Sequence, residues 1–179
     1  VVHVLRCFED TDIIHVDGNV DPLRDLETIN MELTLADIET MERRIDRVKK
    51  ALKGDKTLEK TLALYEKIMA WLADGHTARS LEYTDEDREL MSDLDLLTLK
   101  PVIYAANVDE NHANGDMSDS ELYSKLEAAA KAEGAEIIPV CAGIEAEISE
   151  LDPSEKSEFL ADMGIEESGL SKLIRASYS

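Results

Sequence analysis

Residues 100–110 read KPVIYAANVDE, and the fold turns on them. The run Val102 to Ala106 is short and apolar, opened by a proline and closed by the polar Asn107. That is the length and composition of a strand buried on both faces. Two more such runs lie elsewhere, Val1 to Leu5 and Glu136 to Val140. Helical patterns separate the three. Strands alternating with helices predict an α/β fold with a parallel sheet and crossover connections.

Working outward, Asp21-Pro22 predicts a helix start, with Asp as the cap and Pro at the first helical position. Met31, Leu35, Ile38, Met41, Ile45, Val48 and Leu52 then recur at spacings of three and four, which predicts one apolar stripe. Glu32, Asp37, Glu39, Glu42, Arg43 and Lys50 fall on the wet face. Gly54 suits a stop. Leu58, Leu62, Tyr65, Met69 and Leu72 make the stripe of a second helix, ending near Asp74-Gly75. A short link makes the two antiparallel neighbours, a helical hairpin resembling a coiled coil with Trp71 as an interface anchor. Thr84 with Asp87, and Ser118 with Glu121, predict capping boxes. The helical stretch is too long for one crossover. Residues 27–98 are therefore expected to be an all-α insertion, and residues 1–26 and 99–179 a partial nucleotide-binding domain.

Composition limits what the chain can do. It carries 40 acidic and 19 basic side chains, a formal net charge of −21. Such a field repels a phosphate backbone, so broad nucleic-acid binding is not expected. No apolar run approaches the roughly 18 residues of a membrane span. Cys7 and Cys141 form neither a disulfide framework nor a zinc pattern, as suits a reducing cytoplasm. The chain lacks an initiator Met and opens in a strand, so it is expected to begin inside a longer protein.

In parallel sheets, ligands bind beyond the carboxyl ends of the strands. Here those ends are Asn107-Val108-Asp109-Glu110 and Cys141-Ala142-Gly143. KPVIYAANVDE resembles the base-recognition strand of Ras-like GTPases, where Asn-Lys-x-Asp reads guanine. Val108 stands for the Lys and Glu110 for the Asp, a variant similar to the YchF branch of the Obg-related P-loop ATPase/GTPase family. RCFEDTDIIHVDGNVDPLRD at residues 6–25, CAGIEAEISEL at residues 141–151 and SGLSKLIRASY at residues 168–178 resemble the same branch.

The resemblance implies a Ras-like, incomplete P-loop domain with a helical hairpin inserted. It implies a cytoplasmic nucleotide hydrolase working as a switch, with the ribosome or another protein as partner. Asn107, Val108, Glu110, Cys141 and Ala142 would hold the base. ATP is expected over GTP: guanine offers N1–H and a 2-amino group to one carboxylate, adenine neither, and an Asn amide matches the N6–H and N7 edge of adenine. None of the eight glycines is followed by Lys, so the phosphate-cradling G-x-x-x-x-G-K-[ST] is absent from these residues. In the family that loop, the switch segments and the Mg²⁺-binding Asp precede the point matching Val1, and a TGS-type domain follows the point matching Ser179. This piece is expected to recognise the base and to be inactive alone.

Two other readings stand beside it. The chain could be an acidic helical-hairpin module for basic protein partners, with a vestigial nucleotide site. Glu110 to Glu121 has the length of a calcium loop, but the types at its first and third positions are wrong and a strand precedes it, so a polar turn into a capped helix is expected. His3, His15, His76 and His112 show no metal spacing, and His3 is expected to pack in the core.

Overall fold

A computed structural model describes residues 1–9 and 19–178. His15 and Gly18, within the stretch quoted above at residues 6–25, lie outside the described residues. The chain divides into two compact units, Val1–Leu26 with Val102–Ser179, and Glu27–Pro101.

The first unit holds three parallel strands, β1 (Val2–Arg6), β2 (Ile103–Asn107) and β3 (Glu136–Val140), in the order β1-β2-β3. The register aligns Arg6 with Asn107 and Asn107 with Val140, so the carboxyl ends lie level. Leu5, Tyr104 and Ala106 are buried. His3 is buried too, its ring 5.7 Å from that of Tyr104, as expected of a core histidine.

In the long connection from β1 to β2, the first helix among the described residues is α1 (Pro22–Ala51). Its start was legible: Asp21 Oδ1 accepts from the amides of Leu23 and Arg24 at 3.1 and 3.2 Å. The second unit continues α1 and adds α2 (Glu59–Ala73) and α3 (Asp85–Leu90). Its core joins Met41, Leu64, Tyr65, Ile68 and Leu72 to Ala78, Met91, Leu94 and Leu96.

Here several side chains depart from the expected stripes. Met31 and Leu35 are 65% and 56% exposed, while Asp37, expected on the wet face, is 1% exposed. Asp37 accepts three hydrogen bonds at 2.7 Å, from the Leu97 amide and from the amide and hydroxyl of Thr98. A carboxylate so supplied with donors can be buried where an unpartnered one could not. These bonds tie residues 97–98 to α1, and residues 99–101 also group with the helical unit. On α2 the buried face runs through Leu64, Tyr65, Ile68 and Leu72. Trp71 does not anchor a hairpin seam. Its indole donates to Ser80 Oγ at 3.0 Å and its ring stacks on His76, so it fastens the segment after α2.

From β2 the chain returns to β3 through α4 (Glu121–Glu133). The cap of α4 is Ser120 and not Ser118: Ser120 Oγ accepts from the Tyr123 amide, whereas the Ser118 amide turns to Asp116. The choice follows burial, since Ser120 and Tyr123 are both buried and this register puts Leu126 and Ala130 inside. Gly134 ends the helix at φ +66°, which a β-carbon would disfavour.

After β3 come α5 (Ala142–Ser149), α6 (Pro153–Asp162) and α7 (Gly169–Ser177). α7 meets the sheet so closely that a β-carbon on Gly169 would lie 3.0 Å from Val140 Cα and 3.1 Å from the Pro139 carbonyl oxygen. That approach holds the end of β3, and with it the start of α5, in place. Among the described residues, no helix is long and apolar enough to cross a membrane.

Candidate functional site

The level carboxyl ends of the strands open onto a cleft of about 590 Å³. This volume lies within the usual range for small-molecule sites, roughly 300–1,000 Å³. Phe8 and Glu9 from the end of β1, residues 107–111 from the end of β2, and residues 141–143 at the start of α5 line it. All five residues singled out in the sequence, Asn107, Val108, Glu110, Cys141 and Ala142, therefore meet around one space.

Asn107 ties its parts together. Its backbone carbonyl accepts from the Cys7 amide at 2.8 Å, and its Oδ1 accepts from the Ala142 amide at 3.1 Å. The Val108 amide donates to the Val140 carbonyl at 3.0 Å, extending the ladder one step past β2. The Asn107 side chain thus caps the first turn of α5 while keeping the second lone pair of Oδ1 and two Nδ2 hydrogens for other use. Val108 is only 3% exposed. It forms floor, and offers a bound group less apolar face than its place in the motif suggests. Cys141 is buried beside it. Glu110 reaches across: a β-carbon on Gly143 would lie 3.8 Å from Glu110 Oε1. Its carboxylate therefore sits by the amino end of α5, where a helix favours negative charge.

Phe8 was missed in the sequence, where nothing local tells which way a residue just past a strand will face. Arg6 holds it: Arg6 Nε donates to the Phe8 carbonyl at 3.1 Å, and the guanidinium carbon lies 4.5 Å from the ring centroid. Behind the cleft, burial pushes the Cys7 thiol up to about 12, so it packs as an apolar group.

Among the described residues, the lining holds three carboxylates, Glu9, Asp109 and Glu110, and no Lys or Arg. Such a wall suits a neutral, hydrogen-bonding heterocycle and not a phosphate chain. Among the described residues, no group of three or more His, Cys, Asp or Glu could hold a metal ion. The described residues thus assemble no Mg²⁺ site of their own.

The segment from Glu110 to Glu121 has an order of its own. His112 bridges two carboxylates, Nδ1 to Asp109 at 2.5 Å and Nε2 to Asp119 at 2.8 Å. Its amide also turns back to Asp109. Hydrogen bonds to Asp109 and then Asp119 raise the His112 pKa above its ordinary value. A raised folded-state pKa stabilises fully below the unfolded value, about 6.5, and the gain is lost as pH rises through the folded value. Accordingly, amide exchange at residues 109–119 should quicken as pH rises through the His112 titration, beyond the intrinsic base catalysis seen in Asp119→Asn. An NMR titration of the His112 ring should move down in that variant; an unmoved titration would show that the bridge does not hold.

The chain resembles known proteins along its whole length. It is 48% identical over 180 residues to the ribosome-binding ATPase YchF of Bacillus subtilis and 48% identical over 178 residues to that of Haemophilus influenzae. It is 36% identical to Obg-like ATPase 1 of Oryza sativa subsp. indica. The solved YchF GTPase of Schizosaccharomyces pombe matches 99% of the chain with a TM-score of 0.81 and 28% identity. The chain spans about half the length of these relatives, 49% of the Bacillus protein and 48% of the Schizosaccharomyces one. No family model matches it.

Proposed function

Because the chain belongs, over the length it spans, to the Obg-related YchF-type family, we propose that its cleft is the base-recognition half of a nucleotide site that prefers adenine. The observation that carries this reading is the position of Asn107, at the crossing of β1, β2 and α5, with its amide edge toward a cleft lined by carboxylates. A purine seated there stacks against Phe8, whose other side is held by Arg6. Asn107 Nδ2 donates to N7, and Oδ1 accepts from the 6-amino group. Guanine presents an oxygen at position 6, which would face Oδ1 lone pair to lone pair. It also needs a carboxylate for N1–H and the 2-amino group, and Glu110 is drawn toward the start of α5 instead.

The whole protein is read as a cytoplasmic, ribosome-associated P-loop hydrolase that turns over ATP in preference to GTP and acts as a switch. Phosphate and Mg²⁺ chemistry belongs to parts outside these residues, and the chain alone is read as inactive. Support for the hydrolase and the ribosome comes from the names its relatives carry. Adding ATP to isotopically labelled chain should shift the amides of residues 107–111 and 141–143 and the Asn107 side-chain amide. Shifts confined to the helical unit, or none at saturating ATP, would sink this reading.

A further inference from the structure

His112 follows directly on residues 107–111, which form one wall of the cleft. After the Val108–Val140 bond that wall leaves the sheet. Residues 110–112 make a single 3₁₀ turn, in which the His112 amide donates to the Asp109 carbonyl and the Ala113 amide to the Glu110 carbonyl, both at 3.2 Å. A lone turn of this kind has poor hydrogen-bond geometry and does not support itself. Next along the chain, Asn114 Oδ1 accepts from the Asp116 amide and Asp116 Oδ1 from the Ser118 amide, each turn spanning only two residues.

One imidazole joins the two ends of this segment. Nδ1 of His112 meets Asp109, in the cleft wall, and Nε2 meets Asp119. Asp119 precedes Ser120, the buried cap of α4. The ring therefore links the wall to the root of a packed helix. The bridge demands a charge. A neutral imidazole has one N–H and one lone pair, whereas an imidazolium has two N–H groups. Both partners are carboxylates, which only accept when ionised. The neutral ring can serve one of them and must turn a lone pair on the other. The charged groups facing the ring are Asp109, Asp119 and, less directly, Asp116, all acidic. Hydrogen bonds between ionised partners are roughly twice as strong as neutral ones, so losing the charge weakens both links together.

We propose that His112 is a positioning residue of the nucleotide site: charged, it pins the 109–111 wall to the start of α4, and neutral, it releases that wall, so that the imidazolium form holds a base more tightly than the imidazole form. This rests on the adenine-cleft reading above and deepens it by naming the group that orders one wall. The effect passes through Asp109 and through Glu110, the next residue in the same turn, whose carboxylate reaches toward Gly143 at the start of α5. With the wall released the ring has its ordinary pKa of about 6.5, and with the wall pinned its two carboxylate partners raise it. The tighter binding is therefore complete at low pH and is lost as pH rises through the raised value. By linkage, a bound base raises the His112 titration further.

The test uses adenosine, which unlike ATP has no phosphate group titrating near neutral pH. Amide shifts at residues 107–111 and 141–143 of the isotopically labelled chain report its affinity across the His112 titration. Affinity should fall at least about fivefold with rising pH, and saturating adenosine should move the ring titration up by the matching amount, about 0.7 pH unit. Asp119, on the other side of the ring from the cleft wall, has an 84% exposed side chain. Asp119→Asn should move the midpoint of the affinity profile down together with the ring titration. His112→Gln should give a flat profile at the weaker level. A loop that is merely loosened would weaken binding at every pH and leave the midpoint where it was. If adenosine shifts those amides but the wild-type profile is flat, the midpoint ignores Asp119→Asn, or the His112→Gln profile still falls, the His112 assignment is overturned and the base-site reading stands. No shift at those residues at any pH overturns both.

Discussion

Asp37→Ala should destabilise the helical unit by about 3–5 kcal/mol, the largest effect expected of any single substitution on stability. The carboxylate is fully buried and accepts from two backbone amides and one hydroxyl. Each buried donor left without an acceptor costs about 1–3 kcal/mol, with water entering the vacated space relieving part of the total. Thr98 Oγ1 in turn accepts from the Ala78 amide at 2.9 Å, so the loss passes to the segment after α2. Against the roughly 5–15 kcal/mol that holds a domain together, this is enough to open the unit at modest urea. Asp37→Asn keeps one acceptor oxygen but turns an NH₂ toward donors, and should fall between wild type and Ala. Urea unfolding followed by helical circular dichroism reads the effect. A change below about 1 kcal/mol would mean that residues 97–98 hold without the carboxylate.

The second large effect falls on binding. Asn107→Ala should weaken ATP binding by about 5- to 150-fold, the value of one well-placed bidentate contact to a base edge at about 1–3 kcal/mol. The same substitution removes a single hydrogen bond from the fold, that to the Ala142 amide, worth about 1 kcal/mol. Asn107→Asp separates the two roles. It keeps an oxygen for the Ala142 amide and puts a second oxygen where N7 needs a donor. Binding should therefore fail in both variants while the start of α5 loosens only in the first, as amide exchange at Ala142 would show. An Asp variant that binds ATP as well as wild type would mean that Asn107 serves only as a cap.

How far the sequence could be read follows from how local each signal was. β3 was legible to the residue because its run of Ile137, Ile138 and Val140 sits between a helix-stopping Gly134 and the turn at Cys141. The start of α1 was legible because Asp21-Pro22 carries its own cap. The meeting of Asn107 with Ala142 followed from topology: parallel strands bring their carboxyl ends together whatever lies between them. What failed depended on distant partners. Asp37 looks solvated until Leu97 and Thr98, some sixty positions on, supply its donors. Met31 and Leu35 fit a helical period but lie beyond the core that Met41, Ile68 and Leu72 build. Ser118 and Ser120 are equivalent on paper, and burial of Tyr123 separates them. Net charge is one total, and it hides an arm that is acidic along one stretch and basic at its tip.

The central claim is that the cleft reads adenine, and competition between ATP and GTP for it tests that most directly. With the chain titrated by each nucleotide and followed at the Asn107 side-chain amide, ATP should saturate at a concentration at least about tenfold lower than GTP. Equal saturation, or tighter binding of GTP, would contradict the adenine reading and return Glu110 to the role of a guanine-reading carboxylate.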